Sequence, residues 1–231
     1  MKPALLIGPD THRELGELLR AKGKLTISGA SNETAKSLLL SHLLSFRALP
    51  TVLVTEDETH VESLNHWMTF FGRTTQSFPM PDEDGVLTTE ALQRFLLFMR
   101  GEGDVFIAPR VVWDMPFPLY TDLEERAMTL KKGDTLPFIP FVEELLERGY
   151  QHAEDQHLSP GEYRRVGDVL EIFPVQMHHA VRIAFDFDTV GGIHPLHGGN
   201  AMHDGIEIFP VNYGEEALLE RQFPKGALDA S

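Results

Sequence analysis

Between about Lys24 and Arg110, short apolar runs alternate with stretches in which apolar residues recur every three or four positions. Leu25–Ser28 (LTIS), Thr51–Thr55 (TVLVT) and Val105–Ala108 (VFIA) have the length and character of buried strands. Ala35, Leu39, Leu43 and Phe46 fall at helical spacing, as do Val61, Leu64, Met68 and Phe71, and then Leu92, Phe95, Leu96 and Met99. Gly72 and Gly101 follow the last two runs, where glycine ends a helix at little steric cost. Strand and helix in alternation predict an α/β lobe with a parallel, doubly wound sheet.

The pattern breaks at Trp113–Asp122 (WDMPFPLYTD), which holds two prolines, and a domain boundary is expected near residue 120. Past Ala127 the texture is different. A strand-like AMTLKKGD leads into a helix with Phe141, Leu145 and Leu146 on one side, stopped by Gly149. Strands are then expected around Tyr163–Arg165, Val169–Phe173, Val181–Phe187 and Ile206–Phe209. In VRIAFDFD, Ile183, Phe185 and Phe187 alternate with Arg182, Ala184, Asp186 and Asp188, the period of a half-buried strand. Residues 121–213 therefore read as a smaller α+β domain with an antiparallel sheet. Residues 214–231 read as a short C-terminal segment, with one helix near Glu215–Arg221, that would open a further lobe.

Composition narrows the function classes. Of 231 residues, 42% are hydrophobic, enough for a core, and no run approaches the roughly 18 apolar residues of a membrane span. The start has no basic, apolar and cleavable segment of the secretory kind, so a cytoplasmic protein is expected. The absence of cysteine excludes disulfides and thiolate metal sites. With 35 acidic against 20 basic side chains the formal charge is −15, which disfavours direct DNA binding, since affinity for a duplex comes largely from Lys and Arg on phosphates.

A strand followed by GASNETAKS (Gly29–Ser37) and a helix is where a phosphate-binding loop would sit. Aligned on Lys36 and Ser37, the two glycine positions of G-x-x-x-x-G-K-[ST] hold Ala30 and Ala35. Each carries a β-carbon where the loop needs glycine's freedom or close approach. One reading is a residual anion site at a helix N-terminus. The other is that Ser31 or Asn32 caps the helix and Lys36 is solvated. VFIAPR lacks the magnesium-binding Asp of a Walker B strand, and Thr55–Glu58 (TEDE) reads as the acidic first turn of a helix. The lobe is expected to be a degenerate P-loop-NTPase-like fold with no cofactor.

The blocks RGYQHAEDQHLSPGEYRRVGDVLEIFP (Arg148–Pro174) and AVRIAFDFD (Ala180–Asp188) resemble the domain shared by UvrB and the bacterial transcription-repair coupling factor. That family carries a G-Y helix end, a G-E-[YF]-x-x-x-G-x-[VL]-[LI]-[DE]-[IL]-F-P strand pair, and an R-[IL]-x-F-F strand entering an acidic turn. LKKGD (Leu130–Asp134) is similar to the strand entering this domain, and the resemblance extends from about Lys24 to Val211. The alanines at 30 and 35 favour the coupling factor, which has lost the nucleotide loop that UvrB keeps. The resemblance implies a non-catalytic interaction module that recruits the excision-repair protein UvrA, masked at rest by a C-terminal domain of a longer chain. A translocase would lie outside this segment, unless the chain is an unusually short relative.

The family's docking face maps onto Arg165, Val166, Arg182, Phe185, Asp186 and Phe187. Its Arg before the strand-pair glycine is here Val166, with Arg164 and Arg165 upstream. The Arg opening the next strand is retained as Arg182. The second Phe of the F-F pair falls on Asp186, between Phe185 and Phe187. An exposed Arg beside an aromatic is hot-spot chemistry. Alternatively, Arg182 pairs with Asp186 or Asp188 at little energetic gain.

His194, His197, His203 and Asp204 in GGIHPLHGGNAMHD match no known metal spacing and read as surface residues of a hairpin loop. His178 and His179 point opposite ways if extended. The paired carboxylates sit beside no base, nucleophile or G-x-S-x-G elbow. Two rival functions remain: a nucleotide-dependent enzyme with an irregular loop, or a DNA-contacting lobe of a UvrB- or helicase-like repair ATPase.

Overall fold

The computed structural model describes residues 8–21, 26–46, 50–155, 157–197, 203–213 and 228–229. They fall into two compact units, one drawn from Met1–Thr88, Phe98–Met115 and Phe223–Ser231, the other from Thr89–Leu97 and Pro116–Gln222.

In the first unit, helices α1 (Pro9–Ala21) and α2 (Glu33–Leu44) precede strand β1 (Thr51–Thr55), helix α3 (Glu58–Phe70) and strand β2 (Thr75–Ser77). Helix α4 (Thr89–Met99) follows in the chain, though Thr89–Leu97 of it belongs to the second unit, and strand β3 (Val105–Pro109) and the short helix α5 (Arg110–Trp113) return to the first. The sheet is parallel throughout, in the order β11-β1-β3-β2, where β11 is Leu228–Asp229. β3 is buried along its whole length, as expected of the apolar VFIA run. Leu40 and Leu44 of α2 and Val61, Leu64 and Met68 of α3 share one core with Leu53, Val105 and Ile107.

No strand occupies Thr26–Ser28, and the three residues are exposed; Leu25 lies outside the described residues. The edge of β1 that such a strand would need pairs with β11 instead, Leu53 opposite Leu228 and Val54 opposite Asp229. A row of backbone donors and acceptors can serve only one neighbour on each side. Three-residue β2 reads TQS, too short and too polar to announce itself in the sequence.

In the second unit, helix α6 (Tyr120–Glu125) and strand β4 (Met128–Lys131) lead to helix α7 (Phe138–Glu147). Strands β5 (Gln151–His152), β6 (Glu162–Val166), β7 (Val169–Ile172), β8 (Val181–Asp186) and β9 (Thr189–Pro195) form a five-stranded sheet in sequential order. All its pairings are antiparallel except β5 with β6. Strand β10 (Gly205–Ile208) pairs only with β4, in a separate two-stranded ribbon. One face of the large sheet buries Tyr163, Leu170, Ile172, Val181, Ile183, Phe185, Val190 and Ile193 with Phe141 and Leu145 of α7.

Three expectations need correcting in this unit. Leu146 is exposed, because the face that α7 turns inward carries Phe141 and Leu145, flanked by the partly buried Phe138 and Val142, and Leu146 lies off it. GGIHP is strand rather than loop: β9 completes the sheet beyond β8. Phe187 does not continue the apolar alternation of β8. β8 keeps its alternation as far as the buried Phe185 and ends at Asp186, and the chain then turns at Phe187–Asp188, leaving Phe187 94% exposed. The broken WDMPFPLYTD stretch contains the end of α5 and the start of α6. The helix expected near Glu215–Arg221 lies outside the described residues. Among the described residues no helix is long and apolar enough to cross a membrane.

Candidate docking site

Strand register builds the site's first part. Arg164 of β6 stands opposite Glu171 of β7, Glu171 opposite Arg182 of β8, and Arg182 opposite His194 of β9. Alternation turns this rung to the face away from Tyr163, Leu170 and Ile183. Each guanidinium takes one oxygen of the Glu171 carboxylate through two nitrogens. Arg182 reaches Oε1 at 3.2 and 2.7 Å, and Arg164 reaches Oε2 at 2.6 and 2.5 Å. The clamp leaves the Glu171 residue 1% exposed although it lies on the sheet's outer face. Burial by itself pushes this carboxyl up; the bonds from Arg182 and then Arg164 outweigh it and hold Glu171 below the usual carboxylate range.

Arg182 thus pairs with Glu171, and not with Asp186 or Asp188 as the sequence suggested. Residues four apart along a strand are separated by about 13 Å, whereas a cross-strand neighbour lies within side-chain reach.

The second part lies where two hairpins end. The β6–β7 hairpin turns at Gly167–Asp168 and the β8–β9 hairpin at Phe187–Asp188. The backbone N–H of Phe185 donates to the Asp168 carbonyl at 2.9 Å, tying the two tips together. Arg165 alternates to the opposite face from Arg164 and extends past the core. Its Cζ lies 4.3 Å from the centroid of the Phe138 ring at the start of α7, and its Nε donates to the Gly167 carbonyl at 2.9 Å. Phe185 meets Phe138 edge to face at 5.4 Å. A groove of about 230 Å³ results, lined by Phe138, Arg165, Asp168, Phe185, Asp186 and Phe187.

Four of the six candidate docking residues therefore share the groove: Arg165, Phe185, Asp186 and Phe187. Val166 and Arg182 belong to the outer face, both about half exposed. Phe138 and Asp168 escaped the sequence reading. Their signals were present: Phe138 lies three residues before the buried Phe141 on one helical face, and Gly-Asp between two short strands marks a hairpin tip.

At Phe187 φ is +54°, and it is the one non-glycine with a positive φ among the described residues. Gly167, in the matching place of the other hairpin, has φ +64°. Glycine belongs in that place, because a β-carbon there collides with backbone. A bulky aromatic held so, and fully exposed, is strain kept at a surface.

The start of α2 is arranged differently. Gly29 has φ +98°, but the helix begins at Glu33, so Ala35 and Lys36 are already helical. Asn32 is the cap: its Oδ1 accepts from the Ala35 N–H at 2.8 Å. Lys36 Nζ lies 3.3 Å from Glu33 Oε1 and its side chain is only 27% exposed, so it is not freely solvated. His60 Nε2 lies 3.9 Å from the same carboxylate oxygen. Ser37 is buried. Asp57 caps α3, and bonds from Thr59 and then His60 hold its carboxyl down at about 2.

His194 sits within β9, and the ring of His203 stacks with that of His179 at 6.0 Å. Burial, then His203 and His178, lower His179. Among the described residues no three His, Asp or Glu gather as a metal site.

A family model described as the UvrB interaction domain matches residues 128–203, which run from β4 to the threshold of β10 and take in the whole five-stranded sheet. The UvrABC system protein B of Thermus thermophilus is 33% identical over 92 residues, 38% of this chain and 14% of the relative. That of Thermotoga maritima is 36% identical over 72 residues, 31% of this chain and 11% of the relative. That of Treponema denticola is 29% identical over 90 residues, 37% and 13% of the two chains. The second unit thus contains a UvrB-like region, and the chain spans at most about a seventh of these relatives' length.

Proposed function

We propose that this chain is a non-catalytic docking module of nucleotide excision repair that recruits UvrA, and that it serves as the UvrB-like region of a transcription-repair coupling factor. The observation that carries the reading is the hairpin edge inside the matched segment, where a strained, fully exposed Phe187 borders a groove. On the other face of the same sheet Arg182, half exposed, is held in a fixed orientation by Glu171. Aromatic and arginine anchors on a rigid sheet have the chemistry of interface hot spots.

The absence of catalysis is supported at the start of α2. A phosphate loop offers its lysine and its inward amides to the ligand; here Glu33 takes Lys36 and Asn32 takes the Ala35 amide. We read the first unit as a P-loop-like lobe that no longer binds nucleotide. In a longer parent chain a C-terminal domain would cover the docking face until recruitment is required. A formal charge of −15 weighs against direct DNA contact.

Calorimetric titration of the chain with UvrA tests the reading. Saturable binding is expected, weakened by more than ~1 kcal/mol in Arg182→Ala, with Arg164 still in place to hold Glu171. Unchanged affinity in a folded Arg182→Ala protein would remove that face from the interface. Micromolar, saturable binding of ATP with magnesium would overturn the non-catalytic assignment.

A further inference from the structure

We propose that the groove between the two hairpin tips receives a basic side chain, arginine or lysine, from the protein that docks there. Asp168 and Asp186 would supply the counter-charge and Phe187 the aromatic wall. The inference rests on the docking reading above and adds the chemistry by which the partner is recognised.

Size comes first. At about 230 Å³ the groove falls below the roughly 300–1,000 Å³ of small-molecule sites, and it suits one inserted side chain. Charge decides which kind. Among the described residues neither Asp168 nor Asp186 has an ion-pair partner, in contrast to Glu171, Glu33 and Asp57. Arg165, the single cation in the lining, is already turned to the Gly167 carbonyl and the Phe138 ring. The lining thus holds two carboxylates against one engaged guanidinium, within a chain that is itself strongly acidic.

An acidic side chain entering the groove would meet like charge. An apolar one would strip water from two carboxylates and return nothing. A cation gains both carboxylates and the face of an exposed aromatic ring. The conformation of Phe187 fits this role. The turn would accept glycine without strain, yet it places a phenyl ring in solvent at the groove's rim.

The test compares UvrA binding to the full chain and to the double variant Asp168→Asn, Asp186→Asn. The substitutions keep shape at exposed positions. At least a ten-fold loss of affinity is expected, with a shallower dependence on salt. If UvrA binds the double variant as tightly as the unaltered chain while Arg182→Ala weakens it, docking stands and the basic-side-chain groove falls. If UvrA does not bind the unaltered chain, a blocked Gly-Arg-Gly peptide decides, followed by NMR at the amides of Asp168, Asp186 and Phe187. Saturable shifts lost in the double variant would uphold the groove's chemistry and reject UvrA as partner. Equal shifts with Gly-Glu-Gly, or none with Gly-Arg-Gly, would overturn the inference.

Discussion

The start of α2 and the hairpin edge of the large sheet both concentrate charge, but they dispose of it in opposite ways. Around α2 the charges close on themselves: Lys36 on Glu33, His60 on Asp57, and the helix amide of Ala35 on Asn32. At the hairpin edge Asp168 and Asp186 face a groove without ion-pair partners, and Phe187 stands 94% exposed. The first arrangement engages Lys36 and the Ala35 amide, which a phosphate would use, and buries the Ser37 hydroxyl without a partner, while the second leaves its carboxylates available. Identical residue types therefore carry different functional weight according to whether the fold has already answered them.

The sheet itself contains both conditions, so the comparison can be strained there most strongly. Glu171→Ala removes the carboxylate on which two guanidiniums close and leaves Arg164 and Arg182 facing each other. Breaking a buried pair costs about 3–5 kcal/mol, and Arg182 is half exposed, so a loss of about 2–3 kcal/mol is expected in urea denaturation. Asp186→Asn, by contrast, should stay within about 0.5 kcal/mol of the unaltered protein. Equal effects of the two substitutions would show that pairing does not separate structural from available carboxylates in this sheet.

A smaller effect of opposite sign is expected at the turn. Phe187→Gly relieves a left-handed conformation that costs a non-glycine residue about 1–2 kcal/mol. Glycine's greater freedom in the unfolded chain returns about 0.5–1 kcal/mol of that. The variant should gain roughly 0.5–1 kcal/mol in stability while losing affinity for UvrA. A destabilised variant would mean that the phenyl ring is held by packing rather than displayed against strain.

Much of the fold was legible because hydrophobic period and turn residues act locally. TVLVT and VFIA lie in β1 and β3, and Val61, Leu64 and Met68 give the buried face of α3, ended by Gly72. What the sequence hid was non-local. Thr26–Ser28 could have been a strand, but β1's edge went to Leu228–Asp229, 175 residues beyond its partners Leu53 and Val54. GGIHP became β9 only because β8 offers it a ladder. At the site, the partner of Arg182 was invisible because Glu171 is adjacent through register and not through sequence. The same register separates Arg182 and Val166 from the groove that Arg165, Asp186 and Phe187 share. No pattern of residue types announces a bulge: the extra residue is Gly191 of β9, Phe185 of β8 stays inward, and it is the turn at Phe187–Asp188 that takes Phe187 off the core face.

The smallest expected effect is a pH dependence that distinguishes the two units by their buried ionisable groups. His42 in the first unit is fully buried and lies 2.8 Å from the Nδ1 of His12; burial, then the charge of His12, lower it from the ordinary 6.5. In the unfolded chain His42 takes its proton sooner than in the folded one. As the pH falls below about 6.5 the unfolded state therefore binds more protons, and stability declines. Glu171 has the same direction of shift at a lower window, so its contribution holds down to about 4.5 and fades only below it. Both tryptophans, Trp67 and Trp113, belong to the first unit and report on it. Their urea midpoint should fall between pH 7.5 and 5.5, and His42→Leu should flatten that slope. His179 is lowered in the same sense in the second unit, so the decision rests on the His42→Leu comparison. An unflattened slope would place the acid sensitivity elsewhere and remove His42 from the groups that the first unit has closed away.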